Sequence, residues 1–550
     1  MKNSRLVLLF SLLFICSLSF AQKNKNTKSA TPASKPKLVV GVVVDQMRWD
    51  FLYRYKSQYG KGGFNRLLGE GYSCENTMIT HLPTYTAVGH TGVYTGAFPS
   101  IHGIVGNNWR DGKTGKRMYC TEDSTVSGVG SNNESGKMSP KNLQVNTIAD
   151  ELKLSNGFRS KTFGVSLKDR GAILPAGHSA DAAYWYDDKT GNWISSTFYM
   201  EQLPEWVNRY NEKRLPDEWM KKDWETILPT NQYMQSSLDD AGYEGSMPGE
   251  KSHVFPHQLH NITEKKYSAL RFTPHGNTLT LDFARQVISN ENLGKDEFTD
   301  LLAVSLSSPD YAGHTFGPNS VEVQDMYLRL DLEISRMLNF LDSTMGVGQY
   351  LFFLTADHGV SQVPEYLTSH KIPAGRVDVD ALQKEINDTI NNRYKIQDAI
   401  VEIENDQLYL NPSLKQDGGM NAFFIIQEVI KLLYEKPYVQ HVADVQHISS
   451  FTLPPLFVKL MSNSYYPGRS GDLQMFLKPH FIEGGKTGTT HGAWNPYDSH
   501  IPLVWFGSGI KSGKTYRQTQ MADIAPTLAS MLQIQMPNGA MGTVIEELFK

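Results

Sequence analysis

Apolar residues along this chain gather in short unbroken runs, and polar groups capable of chemistry sit just past them. The runs are KLVVGVVVD (37–45), TFGVSLKDR (162–170), LLAVSLSSPDYAGH (301–314), YLFFLTADHG (350–359) and IPLVWFGSG (501–509). Continuous runs of this length, rich in Val, Ile, Leu and Phe, read as strands buried on both faces, the signature of a parallel sheet. The pattern therefore predicts an α/β fold, with a mostly parallel central sheet flanked by helices. Ligands of such sheets gather beyond the carboxyl ends of the strands, so chemistry is expected along that one edge.

Between the runs, VEVQDMYLRLDLEISRMLNFLDS (321–343) repeats its apolar residues at helical spacing with acidic residues opposite, and predicts a helix on the sheet. The tail MADIAPTLASMLQIQMPNG predicts another, with Asp523 near its start. Two segments break the strand-then-polar pattern. About 181–290 is aromatic and irregular, while about 364–480 mixes a helical stretch, VDVDALQKEINDTINNRY, with the strand-like IVEIE and QLYLN. Both are expected to be cap insertions near the site, within a catalytic domain spanning 37–550.

The N-terminus has a different character. Lys2 and Arg5 precede LVLLFSLLFICSLSF, and Ser19-Phe20-Ala21 places small residues at the two positions a signal peptidase reads, so 1–21 is a predicted signal peptide. A lipoprotein site at Cys16 is disfavoured by Ile15, and a retained anchor by a run shorter than the ~20 residues a spanning helix needs. Residues 22–36, rich in Lys, Asn, Ser, Thr and Pro, should form a flexible leader. The mature protein is expected to be periplasmic or secreted, with no membrane association after cleavage.

Composition narrows the partners. A formal charge of -4 and a pI near 6.5 supply no global basic field, which excludes nucleic acid and anionic membranes as generic partners. Any anion recognition must then be local. The 45 Gly and 26 Pro imply many turns within a chain long enough for a large core. Cys74 and Cys120 could form one disulfide or remain two buried thiols, and neither is placed like a ligand or nucleophile.

The strand ends carry Asp45, then Asp310 with His314 four residues on, then the adjacent Asp357 and His358, and His491 stands apart in a Gly-rich loop. A lone Asp after a strand is ordinarily a helix cap or turn residue. A capping role does not explain why His follows Asp at two strand ends. Carboxylate and imidazole are ligands zinc accepts, and three Asp with three His divide into two shells of a dinuclear site. Paired metals can stabilise both the attacking and the leaving oxygen of an in-line displacement at phosphorus.

After the first strand and a helix, THLPTYTAVGHTGVYTG leads a Thr-rich loop into a predicted helix. A hydroxyl there meets the positive end of the helix dipole, making Thr86 the candidate nucleophile and Thr84 its rival. Asn107, in the turn of IHGIVGNNW, and Lys168 with Arg170, in SLKDRGA, are candidate anion contacts. In an extended segment residues two apart point the same way, which would let Lys168 and Arg170 grip one anion. Gly484 to Thr490 resembles a phosphate loop, but His480 stands where its first Gly belongs, so the stretch is expected to present His491.

Taken together, VVVDQMRWD, THLPTYTAVGH, HGIVGNNW, SLKDRGAILPAGH, SSPDYAGH, TADHG, GTTHGAWNPYDSHIPLVWFG and DIAPTLASML resemble the alkaline phosphatase superfamily, and within it the PafA-type zinc alkaline phosphatases with a Thr nucleophile. The resemblance implies two Zn2+ per chain, one held by Asp310, His314 and His491, the other by Asp45, Asp357 and His358 with Thr86. It assigns phosphate contacts to Asn107, Lys168 and Arg170. The implied activity is hydrolysis of small phosphate monoesters through a covalent phospho-threonine, by a protein expected to be monomeric.

The nearest alternative is a phosphodiesterase or nucleotide pyrophosphatase of the same superfamily. The Lys168 and Arg170 pair argues against it, because a diester carries one negative charge and a second ester group that would collide with the cations. A sulfatase would need Cys-x-Pro-x-Arg or Ser-x-Pro-x-Arg at the nucleophile loop, which is absent. A non-catalytic, zinc-stabilised binding protein would have no use for Thr86 and the cations.

Overall fold

The computed structural model describes residues 35–112, 114–415, 420–448 and 452–550. The expected signal peptide, and all but the last two residues of the expected leader, lie outside the described residues.

Among the described residues, ten strands form the central sheet. In chain order they are β1 (Leu38–Val44), β2 (Tyr72–Cys74), β3 (Gly128–Val129), β4 (Thr162–Ser166), β5 (Ala182–Asp187), β6 (Asn192–Ser196), β7 (Asp300–Leu306), β8 (Tyr350–Thr355), β9 (Leu503–Gly507) and β10 (Gly513–Thr515). Their spatial order is β10-β2-β9-β8-β1-β7-β4-β5-β6-β3. The centre β8-β1-β7-β4-β5 is wholly parallel. Every residue of β1, β4, β7 and β8 is buried, as unbroken apolar runs require when helices cover both faces.

The run at 501–509 departs from the expected direction, because β9 lies antiparallel to β8. Leu503, at its start, pairs with Thr355, at the end of β8. The chain has just left the loop of His491 at the carboxyl edge, so a strand beginning there must run back the other way. An apolar run reveals burial on both faces and leaves direction open.

The segment 181–290 is likewise only partly an insertion. Its first two strands, β5 and β6, extend the central sheet, and its last helix, Pro274–Asn290, packs on the sheet. The bulkiest buried side chains of the two strands are Tyr184, Trp185, Tyr186 and Trp193, with Trp193 stacked on Phe283 of that helix at 4.3 Å. Aromatic strands lack the aliphatic signature of the others. The segment 364–480 holds a separate antiparallel sheet in the order Ile400–Glu404, Gln407–Leu410, Leu473–Leu477, Val439–Asp444. Helices Val379–Tyr394 and Met420–Tyr434 close it around a core of its own, including Ile386, Leu408, Val429 and Met475.

Three helices position the site: α1 (Thr86–Thr95), α2 (Asp169–Ala176) and α3 (Ser308–Phe316). The long predicted helix spans Val321–Met345, and the tail helix Ile524–Leu532 starts at Asp523. Cys74 and Cys120 are free and buried, and burial pushes both thiols up to about 12.

Candidate active site

Asp45 follows β1, Asp310 lies in the first turn of α3 after β7, Asp357 and His358 follow β8, and Lys168 follows β4. These four strands are neighbours, so their carboxyl ends bring all five residues to one edge. His314, one turn beyond Asp310 on α3, shares its face. His491 arrives from the other direction, in the loop before β9.

The donors converge. His314 Nε2 is 3.2 Å from both Asp310 Oδ1 and His491 Nε2, and His491 Nε2 is 3.5 Å from Asp310 Oδ1. Beside them, His358 Nε2 is 3.4 Å from Asp45 Oδ1 and 3.5 Å from Asp357 Oδ2. His358 also comes within ligand range of Asp310 and His491, so it stands between the two groups. Its ring stacks on His491 at 3.5 Å.

Each imidazole is fixed in one tautomer by its other nitrogen. His314 Nδ1 faces Thr489 O at 2.8 Å, His491 Nδ1 faces Thr84 O at 2.7 Å, and His358 Nδ1 faces Gly359 O at 2.9 Å. A carbonyl only accepts, so each Nδ1 carries the hydrogen and each Nε2 faces inward, where its lone pair becomes available when a metal takes the place of a proton. His358 Nε2, Asp45 Oδ1 and Asp357 Oδ2 are buried atoms with no hydrogen-bond partner. Buried polar atoms without partners are costly unless something else satisfies them. Three Asp and three His with inward lone pairs are a donor set suited to divalent metals.

The electrostatics agree. Burial and the neighbouring Asp45 carboxylate push the Asp357 carboxyl up. Burial and Asp310 act on Asp45 the same way, but Lys168 and His358 outweigh them and hold it low. Burial opposes protonation of His358, yet Asp357 and Asp45 raise it to about 9. So many carboxylates in one buried place require positive charge.

Thr86 is the first residue of α1, and Tyr85 at the N-cap makes no side-chain capping hydrogen bond. Its Oγ1 lies 3.4 Å from Lys168 Nζ. Thr84, the rival, donates its hydroxyl to Ala493 O at 3.1 Å and supports His491 through its carbonyl. Helix α1 packs tightly against the metal edge: a Cβ on Gly89 would fall 2.2 Å from Asp357 O. Asn107 Oδ1 accepts from the Ala87 N–H at 3.0 Å, capping α1 beside Thr86 and leaving its amide nitrogen as the group to offer an anion.

The Lys168 and Arg170 arrangement differs from the extended segment expected. Lys168 caps α2, and Arg170 lies in its first turn. Separate anchors, in place of strand alternation, aim the two cations. Lys168 Nζ bridges Asp45 Oδ2 at 2.6 Å and Asp310 Oδ2 at 2.5 Å. Arg170 Nη1 donates to Tyr119 OH at 3.0 Å, and that hydroxyl donates to Asp169 Oδ1 at 2.8 Å. The cations stay close enough for Arg170 to oppose the charge on Lys168.

Several contributors were not visible in the sequence. His90, one turn after Thr86 on α1, places Nδ1 3.1 Å from Asp357 Oδ2, and its i,i+4 spacing was the available signal. Gln46 contacts two of the candidate ligand carboxylates, Asp357 and Asp310. Tyr119 reaches Arg170 only through tertiary packing, for which the sequence carried no signal.

Comparison with known proteins places the chain in a family. The chain matches the Type I phosphodiesterase / nucleotide pyrophosphatase family over residues 39–422. It is 46% identical to Alkaline phosphatase PhoV of Synechococcus elongatus over 100% of both chains. A protein of Myroides odoratus named Calcium-transporting ATPase is 46% identical over 97% of each chain. Among the described residues, no helix is long and apolar enough to cross a membrane. The crystal structure of alkaline phosphatase PafA superposes with a TM-score of 0.92 at 45% identity, covering 94% of this chain and 99% of that one. The chain thus belongs to the Type I phosphodiesterase / nucleotide pyrophosphatase family of the alkaline phosphatase superfamily, among its PafA/PhoV-type alkaline phosphatases.

Proposed function

We propose that this chain is an alkaline phosphatase that hydrolyses phosphate monoesters to alcohol and inorganic phosphate, with Thr86 as nucleophile. The observation that carries the reading is the position of Lys168. Its ammonium lies 3.4 Å from the Thr86 hydroxyl while bonded to Asp45 and Asp310, one carboxylate from each donor group.

The donor set suits two Zn2+, one at Asp310, His314 and His491, the other at Asp45, Asp357 and His358 with Thr86. Bound there, the pair supplies Lewis acidity for both the attacking and the leaving oxygen. Thr86 gives its hydroxyl proton to solvent as its Oγ forms a bond to phosphorus, the bond to the leaving alcohol oxygen breaks, and that oxygen takes a proton from water. Lys168, Arg170 and the Asn107 amide hold the non-bridging oxygens, two cations and a neutral donor matched to a dianion. Water then gives a proton to solvent and adds to phosphorus, the bond to Thr86 breaks, its Oγ takes a proton back, and phosphate leaves. Gln46 keeps the Asp310 and Asp357 carboxylates in place throughout.

A second reading, phosphodiesterase, takes support from the family name matched over residues 39–422. The dianion-sized pair of cations favours the monoester. The charged N-terminus followed by an apolar run supports export by a signal peptide at 1–21, to the periplasm or beyond. The proposed donors and contacts all belong to one chain, so a monomer suffices. The deciding experiment compares turnover of a phosphate monoester, a diester and a sulfate ester by the metal-replete protein. Strong preference for the diester would overturn the assignment.

A further inference from the structure

Gln46 is the residue in which the two donor groups meet. It follows Asp45 directly and is 2% exposed, with φ at +65°, a left-handed backbone that a non-glycine residue rarely adopts. That backbone turns the Gln46 N–H onto Asp357 Oδ1 at 3.1 Å. Its side chain runs the other way, and Nε2 donates to Asp310 Oδ1 at 2.8 Å. One residue therefore holds a carboxylate of each group.

The two contacts act on different oxygens. Asp357 Oδ1 accepts from the N–H groups of Gln46 and His358, which leaves Oδ2 turned toward His358 Nε2. Asp310 Oδ1 is the oxygen nearest His314 and His491, and Lys168 holds Oδ2. With one lone pair of Oδ1 occupied by the Gln46 amide, the other is directed at the imidazoles. The amide orientation is fixed chemically, since an ionised carboxylate only accepts.

Helix α3 is shaped around this amide. A Cβ on Gly313, which lies between Asp310 and His314, would fall 1.8 Å from Gln46 Oε1. Only glycine leaves room for the carboxamide to reach Asp310 at that point. The unusual backbone at 46 and the glycine at 313 serve the same contact.

We infer that Gln46 is a positioning residue that sets the spacing of the two metal sites, through its side chain on Asp310 and its main chain on Asp357. The inference rests on the metal-binding reading above. Because the main-chain contact survives a side-chain change, the effect of substitution should be lopsided: the site of Asp310, His314 and His491 weakens and the other persists.

The test is chelator competition on the purified full chain with Zn2+ as probe, which yields two affinities and a stoichiometry. Gln46→Met keeps the length without the donor, and Gln46→Gly also removes the backbone constraint. Each should weaken one of two sites by about 10–100-fold, the scale for loss of a contact that orients a ligand. Gly313→Ala should displace the carboxamide and weaken the same site while leaving residue 46 intact. Two undisturbed affinities in Gln46→Met and Gln46→Gly would overturn the inference, as would equal weakening of both sites. A wild-type chain that binds no Zn2+ would instead overturn the metal reading itself.

Discussion

The ammonium of Lys168 lies 2.5 Å from the carboxylate of Asp310, closer than to any other group it touches. Burial alone would drive a proton off this amine, yet Asp310 and Asp45 outweigh it and keep Lys168 charged. The side chain thus offsets carboxylate repulsion while presenting a cation 3.4 Å from Thr86. Lys168→Ala should lower monoester kcat/KM by about 10²–10³-fold, the scale for losing one preorganised charge-stabilising donor. Activity toward a diester, which carries one charge fewer, should fall much less. Equal losses on both substrates would show that the lysine serves the metal carboxylates alone.

Thr86 and Thr84 can be separated directly. Thr86→Ala should remove at least about 10³ of the turnover of p-nitrophenyl phosphate, as expected for loss of a covalent nucleophile, with bound metal unchanged. Thr84→Ala removes only the hydrogen bond to Ala493 O, and its carbonyl still holds His491. Near-normal turnover in the Thr86 variant would end its role as nucleophile.

Removing metal should destabilise the protein as well as silence it. Asp45 Oδ1, Asp357 Oδ2 and His358 Nε2 are buried without hydrogen-bond partners, and the two carboxylates repel. A ligand held at 1,000 times its dissociation constant stabilises a fold by about 4 kcal/mol. A chelator should therefore lower the melting temperature and abolish turnover, with Zn2+ restoring both. Unchanged melting after verified metal removal would argue against a site so constructed.

How far the sequence carried this picture depended on distance along the chain. Asp45, Asp310, His314, Asp357 and His358 were legible because each follows a buried aliphatic strand, and a parallel sheet collects strand ends at one edge. His491 was harder, since it precedes a strand, and that same fact reverses β9. Lys168 and Arg170 were identified, but the chain turns helical at Asp169, and their aim comes from Asp310 and Tyr119 far away in sequence. Strands β5 and β6 were hidden because their bulkiest buried residues are aromatic and not aliphatic.

A buried carboxyl outside the candidate ligand set should make stability depend on pH. Glu244 is buried, and neither oxygen has a hydrogen-bond partner. Burial, with Glu322 and Asp239 nearby, pushes it up to about 10. His257, which bridges Glu250 and Glu322, is the cation of this cluster. Glu244 ionises near 4.5 in the unfolded chain but stays protonated when folded, so folding binds a proton and stability falls as pH rises between those values. Each unit of difference is worth about 1.4 kcal/mol. Glu244→Gln should raise the melting temperature of the metal-replete protein more at pH 9 than at pH 6. An equal gain at both values would contradict the assignment.

One of the contacts by which residues 364–480 reach the site is a hairpin. Its turn, Asn405 and Asp406, has positive φ at both positions, and Asn405 Nδ2 donates to Asn108 O at 3.0 Å. Arg469 from the same segment donates to Gly103 O and Asn142 O, so the loop around Asn107 is held on both sides. The Asn107 carbonyl is fixed in turn by the Cys120 N–H, and its side chain by the Ala87 N–H. Asn405→Ala removes one prop from a residue proposed to contact phosphate without touching the metal ligands. The expected result is a fall in monoester kcat/KM of about tenfold, equivalent to the ~1.4 kcal/mol of one typical hydrogen bond, with metal content unchanged. Combining it with Asn107→Ala distinguishes the routes: if Asn405 acts through Asn107, the double variant is no worse than Asn107→Ala alone. Additive losses would mean that the hairpin serves the site by another path.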